Sequence, residues 1–168
     1  MPGRLVIFCG IPGSGKTTVA KLVAKTDPQA VLIQTDAIRS MIVERDYGAE
    51  ESDCVYRSCT AVAKVWLNSG RLVIMDGTFG SARRRKSTLA ELSGYCSRVD
   101  LVHVVCDLET ALKRNSARSA VVPVGRVKDM FAAFEAPERA IVVDSSRTSP
   151  EAAAETVLRR LYPLVPPE

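Results

Sequence analysis

Gly10-Ile11-Pro12-Gly13-Ser14-Gly15-Lys16-Thr17 follows directly on the apolar run of residues 5–9 and opens a stretch in which Val19, Ala20, Leu22 and Val23 line one helical face. The pattern is G-x-x-x-x-G-K-[ST], and it stands where its mechanism requires, between a hydrophobic strand and an amphipathic helix. Its glycines permit a tight turn in which backbone N–H groups point inward, and the helix N-terminus adds partial positive charge. The product is an anion cradle. Lys16 then reaches the β and γ phosphates of a nucleotide, and the Thr17 hydroxyl takes a place on Mg²⁺. The candidate nucleotide-binding residues are Gly10, Pro12, Gly13, Ser14, Gly15, Lys16, Thr17 and Thr18.

Nothing around this loop calls for a second core, because 168 residues are about the length of one domain. A composition of 46% hydrophobic and 25% charged residues excludes wholesale disorder, collagen and coiled coil. The 23 Lys+Arg against 19 Asp+Glu leave +4, far short of what a protein coating nucleic acid by charge alone carries. An anionic small ligand suffices to explain that balance. The longest apolar runs, residues 5–9 and 72–75, are much shorter than the roughly 18 residues of a membrane span. The opening MPGRLVIFC runs straight into the glycine loop instead of a small-residue cleavage site, so it reads as a buried strand and not as a signal peptide. Cys9, Cys54, Cys59, Cys96 and Cys106 form no C-x-x-C pair and mostly lie in apolar stretches, as free thiols in a reducing compartment do. The expected location is cytoplasmic. One histidine and no ligand spacing argue against a zinc framework.

Apolar runs at residues 4–9, 30–35, 71–75, 99–106 and 140–143 alternate with helical patterns. Most are continuous, as in a parallel sheet covered on both faces. The first helix, 15–25, stops at Asp27-Pro28, and a second begins near Asp36. Ser52 is placed to cap a longer helix whose stripe of Val55, Cys59, Val62 and Trp66 ends before Gly70. Further helices are expected over 81–93, 108–117 and 124–134. A last one follows the cap Ser149-Pro150-Glu151 and carries Val157, Leu158 and Leu161, after which the tail PPE frays. The expected architecture is an α/β P-loop NTPase fold over residues 1–168. It has a five-stranded, mainly parallel sheet, helices on both faces and a short helical lid at about 114–130.

Two strands end in carboxylates. Asp36 follows the second, and Arg39 lies three residues on, so both fall on one face of a helical turn. Asp36 is placed to accept a hydroxyl proton and Arg39 to grip a phosphate on an acceptor; a plain N-cap with a surface arginine is the competing reading. Asp76 ends the third strand in the manner of a Walker B residue, and either holds Mg²⁺ with Thr17 or orients the acceptor. In Arg83-Arg84-Arg85-Lys86 the candidate acceptor contact is Arg83, in a run that otherwise reads as a solvated face. Arg114 and Arg118 share one side of a helix before the lid, Arg114 as a nucleotide contact and Arg118 as the clamp on the γ phosphate. His103 reads as structural, and Cys54 and Cys59 as core-facing.

A GTP switch would carry an N-K-x-D guanine-reading motif, and this chain has none. In order, GIPGSGKTT, TDAIR, VIMDGTF followed by ARRR, LKRNSAR with VP and FEAP, and IVVDSS resemble the kinase module of 5′-hydroxyl polynucleotide kinases. The same run is similar to the catalytic module of seryl-tRNA kinases, and FEAP followed by a strand is similar to adenylylsulfate kinases. The likeness covers nearly the whole chain. It implies that Lys16 and Thr17 serve ATP and Mg²⁺, that Asp36 is the general base, that Arg39 holds the acceptor's phosphate and that Arg118 sits over the transferring group. Asp76 matches a substrate-site carboxylate. The acceptor so implied is the 5′-hydroxyl of a nucleic acid or nucleotide. A small phosphorylated acceptor of the adenylylsulfate kind is the first alternative, and a nucleotide-binding ATPase or switch the second.

Overall fold

The computed structural model describes residues 1–44, 48–118 and 121–162. The expected fraying of the tail PPE, and residues 119–120 of the expected lid, lie outside the described residues. In chain order the elements are β1 (Gly3–Cys9), α1 (Lys16–Ala24), β2 (Val31–Gln34), α2 (Thr35–Arg39), α3 (Ala49–Asn68) and β3 (Leu72–Asp76). They continue with α4 (Ala82–Leu92), β4 (Cys96–Val105), α5 (Leu108–Ser116), α6 (Val124–Ala132), β5 (Ile141–Asp144) and α7 (Pro150–Leu161).

The five strands form one sheet in the order β2-β3-β1-β4-β5, and every pairing in it is parallel. Side chains of β1 alternate between two cores. Val6 and Phe8 meet α1 and α7 through Val19, Val23, Ala153 and Val157. Leu5 and Ile7 meet α3 and α4 through Val55, Cys59, Leu67 and Leu92. Covering both faces is why the strands read as continuous apolar runs. It also positions the site. Neighbouring strands β1 and β3 send their following helices, α1 and α4, to opposite faces of the sheet. Their carboxyl ends therefore part and leave a crevice, where open parallel sheets bind ligands.

The helix caps form as their chemistry predicts. Ser81 Oγ accepts from Arg84 N at 3.2 Å to start α4, and Ser149 Oγ accepts from Ala152 N at 3.2 Å to start α7, with Pro150 in the first turn. Asp107 caps α5 through Thr110 N at 2.7 Å, and that amide, with the Thr110 and Ser146 hydroxyls, holds its carboxyl down to about 2.

Three expectations need correction. Helix α3 begins at Ala49, not Ser52, with Glu50 and Glu51 in its first turn, where carboxylates favour a helix start. Its buried row is Val55, Cys59, Ala63 and Leu67, while Val62 and Trp66 are 38% and 39% exposed. The stripe slid toward the larger side chains. The small Ala63 is the member that meets the sheet. Strand β4 begins at Cys96, ahead of the apolar run, because Cys96 and Arg98 pair with Gly3 and Arg4 of β1 and Ser97 Oγ donates to Gly3 O at 3.0 Å. Backbone pairing leaves no hydrophobic signal.

Leu67→Ala should cost about 2–5 kcal/mol by opening a cavity in the α3 core, whereas Val62→Ala should stay within about 0.5 kcal/mol. Urea unfolding measures both, and equal losses would overturn the assignment of the buried row.

Candidate functional site

The glycine loop turns from β1 into α1 with Gly10, Gly13 and Gly15 at φ 155°, 83° and 84°, a region that side-chain-bearing residues rarely enter. At Gly13 space adds a second reason, since an ideal Cβ would stand 2.1 Å from the Ala111 carbonyl oxygen on α5. The turn delivers Lys16 and Thr17 as the first residues of α1, where helix N–H groups lack intrahelical partners and attract anions. Lys16 is buried, and its Nζ donates to Ile11 O at 3.5 Å across the loop. Gly10 N donates to Thr78 O at 3.1 Å, so the segment after β3 lies against the entry to the loop.

Asp76 stands across the crevice. Its Oδ2 accepts from Thr17 Oγ1 at 2.7 Å and from Gln34 Nε2 at 3.0 Å, while Oδ1 is buried with no hydrogen-bond partner. That orphaned carboxylate oxygen beside a hydroxyl fits a divalent cation. Among the described residues no group of three or more His, Cys, Asp or Glu side chains gathers at one point. A cation here therefore needs further oxygen ligands from a bound phosphate or water.

Asp36 enters from α2, where Oδ2 accepts from Arg118 Nη2 at 2.7 Å. This pair stands between two adjoining cavities, and Asp36, Arg118, Lys16 and Thr17 line both. The first, about 470 Å³, is floored by Gly13, Gly15 and Thr18 and edged by Gln34 and Arg114. The second, about 240 Å³, is walled by Thr35, Arg39, Tyr56, Asp76, Arg84 and Arg126. Of the residues read from the sequence, Lys16, Thr17, Asp36, Arg39, Asp76 and Arg118 therefore meet at one crevice, with Pro12 on its rim.

Arg83 does not join them. It is exposed and lines an outer cavity with Glu50 and Asp53. The next residue, about 100° further round the helix, lines both that cavity and the crevice. Arg84 lies over the Tyr56 ring at 4.7 Å and donates to Asp53 at 2.6 Å, which holds that carboxyl below its ordinary range. Arg85 is buried and donates to Phe79 O at 2.7 Å. Three adjacent arginines thus have three different surroundings, and the run is not a solvated face. Arg39 reaches the crevice, but its guanidinium is paired with Glu51 and donates to Ser52 Oγ at 3.3 Å. Arg114, at the edge of the first cavity, is held to Ser145, donating to its Oγ and its carbonyl at 2.9 Å each.

Several residues here carried no assignment from the sequence. Tyr56 Oη accepts from Phe79 N at 3.1 Å and so secures a buried phenylalanine held at φ 43° in the loop after β3. Asn115 sits 1% exposed and binds the backbone of Val122 in both directions, at 2.7 and 3.1 Å, pinching the turn that carries Arg118. The asparagine of R-N-x-x-R was the available signal for it. Gln34, Arg126 and Ser145 had none beyond their places at element ends.

A glycine loop after the central strand of a parallel sheet ordered β2-β3-β1-β4-β5, with a carboxylate across from its lysine, defines a P-loop kinase fold. The chain belongs to the AAA_33 family, whose model, described as an AAA domain, matches residues 5–137. Among solved structures it is similar to a sugar kinase from Janibacter sp., at 24% identity and a TM-score of 0.73 over 95% of both chains. The Mycobacterium tuberculosis APS kinase CysC in complex with AMPPNP and APS matches 95% of this chain and 98% of its own, at 19% identity and a TM-score of 0.75. The Pnkp1/Rnl/Hen1 RNA repair complex matches 79% of this chain and 44% of that one, at 20% identity and a TM-score of 0.68. Uncharacterized proteins of Mycobacterium bovis and Mycobacterium tuberculosis are 33% identical over 97 residues. That match covers 49% of this chain, and the chain spans 19% of the length of these curated relatives.

The thiols around the site differ sharply. Burial pushes the Cys9 and Cys59 thiols up to about 11, with nearby Arg and Lys charges only partly opposing it. Cys59 is core-facing as expected, but Cys54 is exposed, on the opposite side of α3. His103 stacks on Phe134 at 4.8 Å, and burial with the nearby Arg85 lowers its pKa, consistent with a packing role. A raised thiol pKa means less thiolate at any given pH. Iodoacetamide at pH 8 should therefore label Cys54 in the folded protein and reach Cys9 and Cys59 only after denaturation. Peptide mapping reads the order, and early labelling of Cys9 would contradict its burial.

Proposed function

We propose that this chain is an ATP-dependent kinase, acting as a single domain, that transfers the γ phosphate to an alcohol hydroxyl. The observation that carries the reading is the convergence of Lys16, Thr17, Asp36 and Arg118 on the boundary between two adjoining cavities. One cavity begins at an anion cradle. The other is walled by arginines and a carboxylate, as an anionic acceptor requires. Phosphoryl transfer asks chiefly for positioning and charge neutralisation, and these groups supply both.

In this reading the glycine loop and Lys16 hold the β and γ phosphates. Thr17 and Asp76 hold Mg²⁺, which when bound neutralises charge on the phosphate oxygens. Asp36 takes the proton of the acceptor hydroxyl as its oxygen bonds to the γ phosphorus. The bond to the β-phosphate oxygen breaks, and ADP leaves with that electron pair. Arg118 shifts from Asp36 onto the transferring group, which frees the base as it engages the phosphate. Arg39 and Arg84 face the acceptor. The leading acceptor is a 5′-hydroxyl end of a nucleic acid or nucleotide. The small volume of the acceptor cavity, about 240 Å³, favours a second reading, a compact phosphorylated or sulfated alcohol. The absence of a membrane-spanning helix among the described residues and the free thiols support a cytoplasmic setting.

Incubation with γ-labelled ATP, Mg²⁺ and a panel of 5′-hydroxyl oligonucleotides, nucleoside 3′-phosphates and adenylylsulfate should transfer label to one class. Release of free phosphate alone would sink the kinase reading. Lys16→Ala should weaken both ATP binding and turnover. Asp36→Asn should leave ATP binding nearly intact while lowering kcat by roughly 10² or more, as loss of a general base does. Undiminished kcat in Asp36→Asn would remove the base from the mechanism.

A further inference from the structure

Ser145 follows β5, where its N–H donates to Val105 O at 2.9 Å and so prolongs the sheet pairing with β4. That pairing sets the buried side chain against the glycine loop. Its Oγ donates to Ser14 O at 2.7 Å, a link across 131 residues of sequence. The same Oγ accepts from Arg114 Nη1 at 2.9 Å, and Arg114 Nη2 donates to the Ser145 carbonyl at 2.9 Å.

We infer that Ser145 is a positioning residue for the phosphate loop and that Arg114 sets the direction of its hydrogen bond. A trans peptide is planar, so its carbonyl and its N–H point opposite ways. Holding the Ser14 carbonyl toward β5 therefore turns the Gly15 N–H the other way, toward the mouth of the loop. The loop's own bonds do other work. Ser14 N donates to Ile11 O, and the carbonyl of Gly15 accepts from Thr18 and Val19 within the first turn of α1. Gly15 stands at φ 84°, and because glycine lacks a Cβ its backbone is free to take other orientations unless a partner holds this peptide.

The arginine decides which way the hydroxyl proton points. A guanidinium only donates, so the Ser145 oxygen presents a lone pair to it and spends its single proton on Ser14. Arg114, which also edges the larger cavity, acts on the loop through Ser145. This inference rests on the reading of residues 10–17 as the nucleotide phosphate site, and deepens it by naming what keeps one of its N–H donors aimed.

Isothermal titration with MgATP and MgADP tests it on the unsubstituted chain and on Ser145→Ala, Ser145→Thr and Arg114→Gln, with thermal melts of each. Ser145→Ala should raise both dissociation constants about five- to tenfold, the loss of one well-aimed hydrogen bond. Ser145→Thr, which keeps the hydroxyl, should stay within about twofold, and Arg114→Gln should fall between the two. Affinity unchanged in folded Ser145→Ala overturns the positioning role alone. So does a loss in Ser145→Thr as large as that in Ser145→Ala, because it would point to packing instead of the hydroxyl. Should Ser145→Ala fail to fold, Ser145→Cys, a weaker donor, decides: unchanged affinity overturns the inference, and a loss that Ser145→Thr does not share supports it. No MgATP binding by the unsubstituted chain overturns both this inference and the nucleotide site beneath it.

Discussion

The hydrogen bond from Thr17 to Asp76, 2.7 Å across the gap between β1 and β3, marks the constraint on which the remaining architecture depends. Two neighbouring parallel strands send their next helices to opposite faces, and the ends left apart become a crevice. A loop of glycines spanning such a gap has much conformational freedom to lose, about 1–2 kcal/mol for each residue fixed. Partners outside the loop offset that cost. Thr78 holds Gly10, Asp76 holds Thr17 and Ser145 holds Ser14, so connections after β3 and after β5 grip the loop from two sides.

Charge in the crevice is organised by pairing. Arg118 meets Asp36, Arg39 meets Glu51, and Arg84 meets Asp53 while lying on Tyr56. The more exposed pairs among them add little to stability. All of them hold long side chains in place at the crevice. A net charge of only +4 is then compatible with an anion-binding site, because the cations are concentrated and locally balanced. The pair between Asp36 and Arg118 differs from the others in that both partners line both cavities.

Most of the fold was legible because its signals are local. Burial on both faces writes itself as runs such as Leu72 to Asp76, and caps such as Ser81 and Ser149 act within three residues of themselves. The exceptions are set by distant partners. The start of β4 depends on pairing with Gly3, and the buried row of α3 follows Ala63, whose small side chain announces nothing about burial. Arg83 and Arg84 are neighbours in sequence, but one residue on a helix is a different face, and of the two Arg84 lines the crevice.

The two ends of the site also differ in how recognition is encoded. The phosphate loop binds with main-chain N–H groups, and a main chain bent that tightly needs glycines at fixed intervals, so Gly10, Gly13 and Gly15 with Lys16 form a contiguous signature. The wall of the smaller cavity is built from side chains instead: Arg39 from α2, Tyr56 from α3, Arg84 from α4 and Arg126 from α6. The relative positions of residues on different helices come from packing on the sheet, and no spacing along the chain relates them. The phosphate loop is therefore readable from one stretch of sequence, whereas the chemistry of the smaller cavity emerges only when four helices are brought to the same edge.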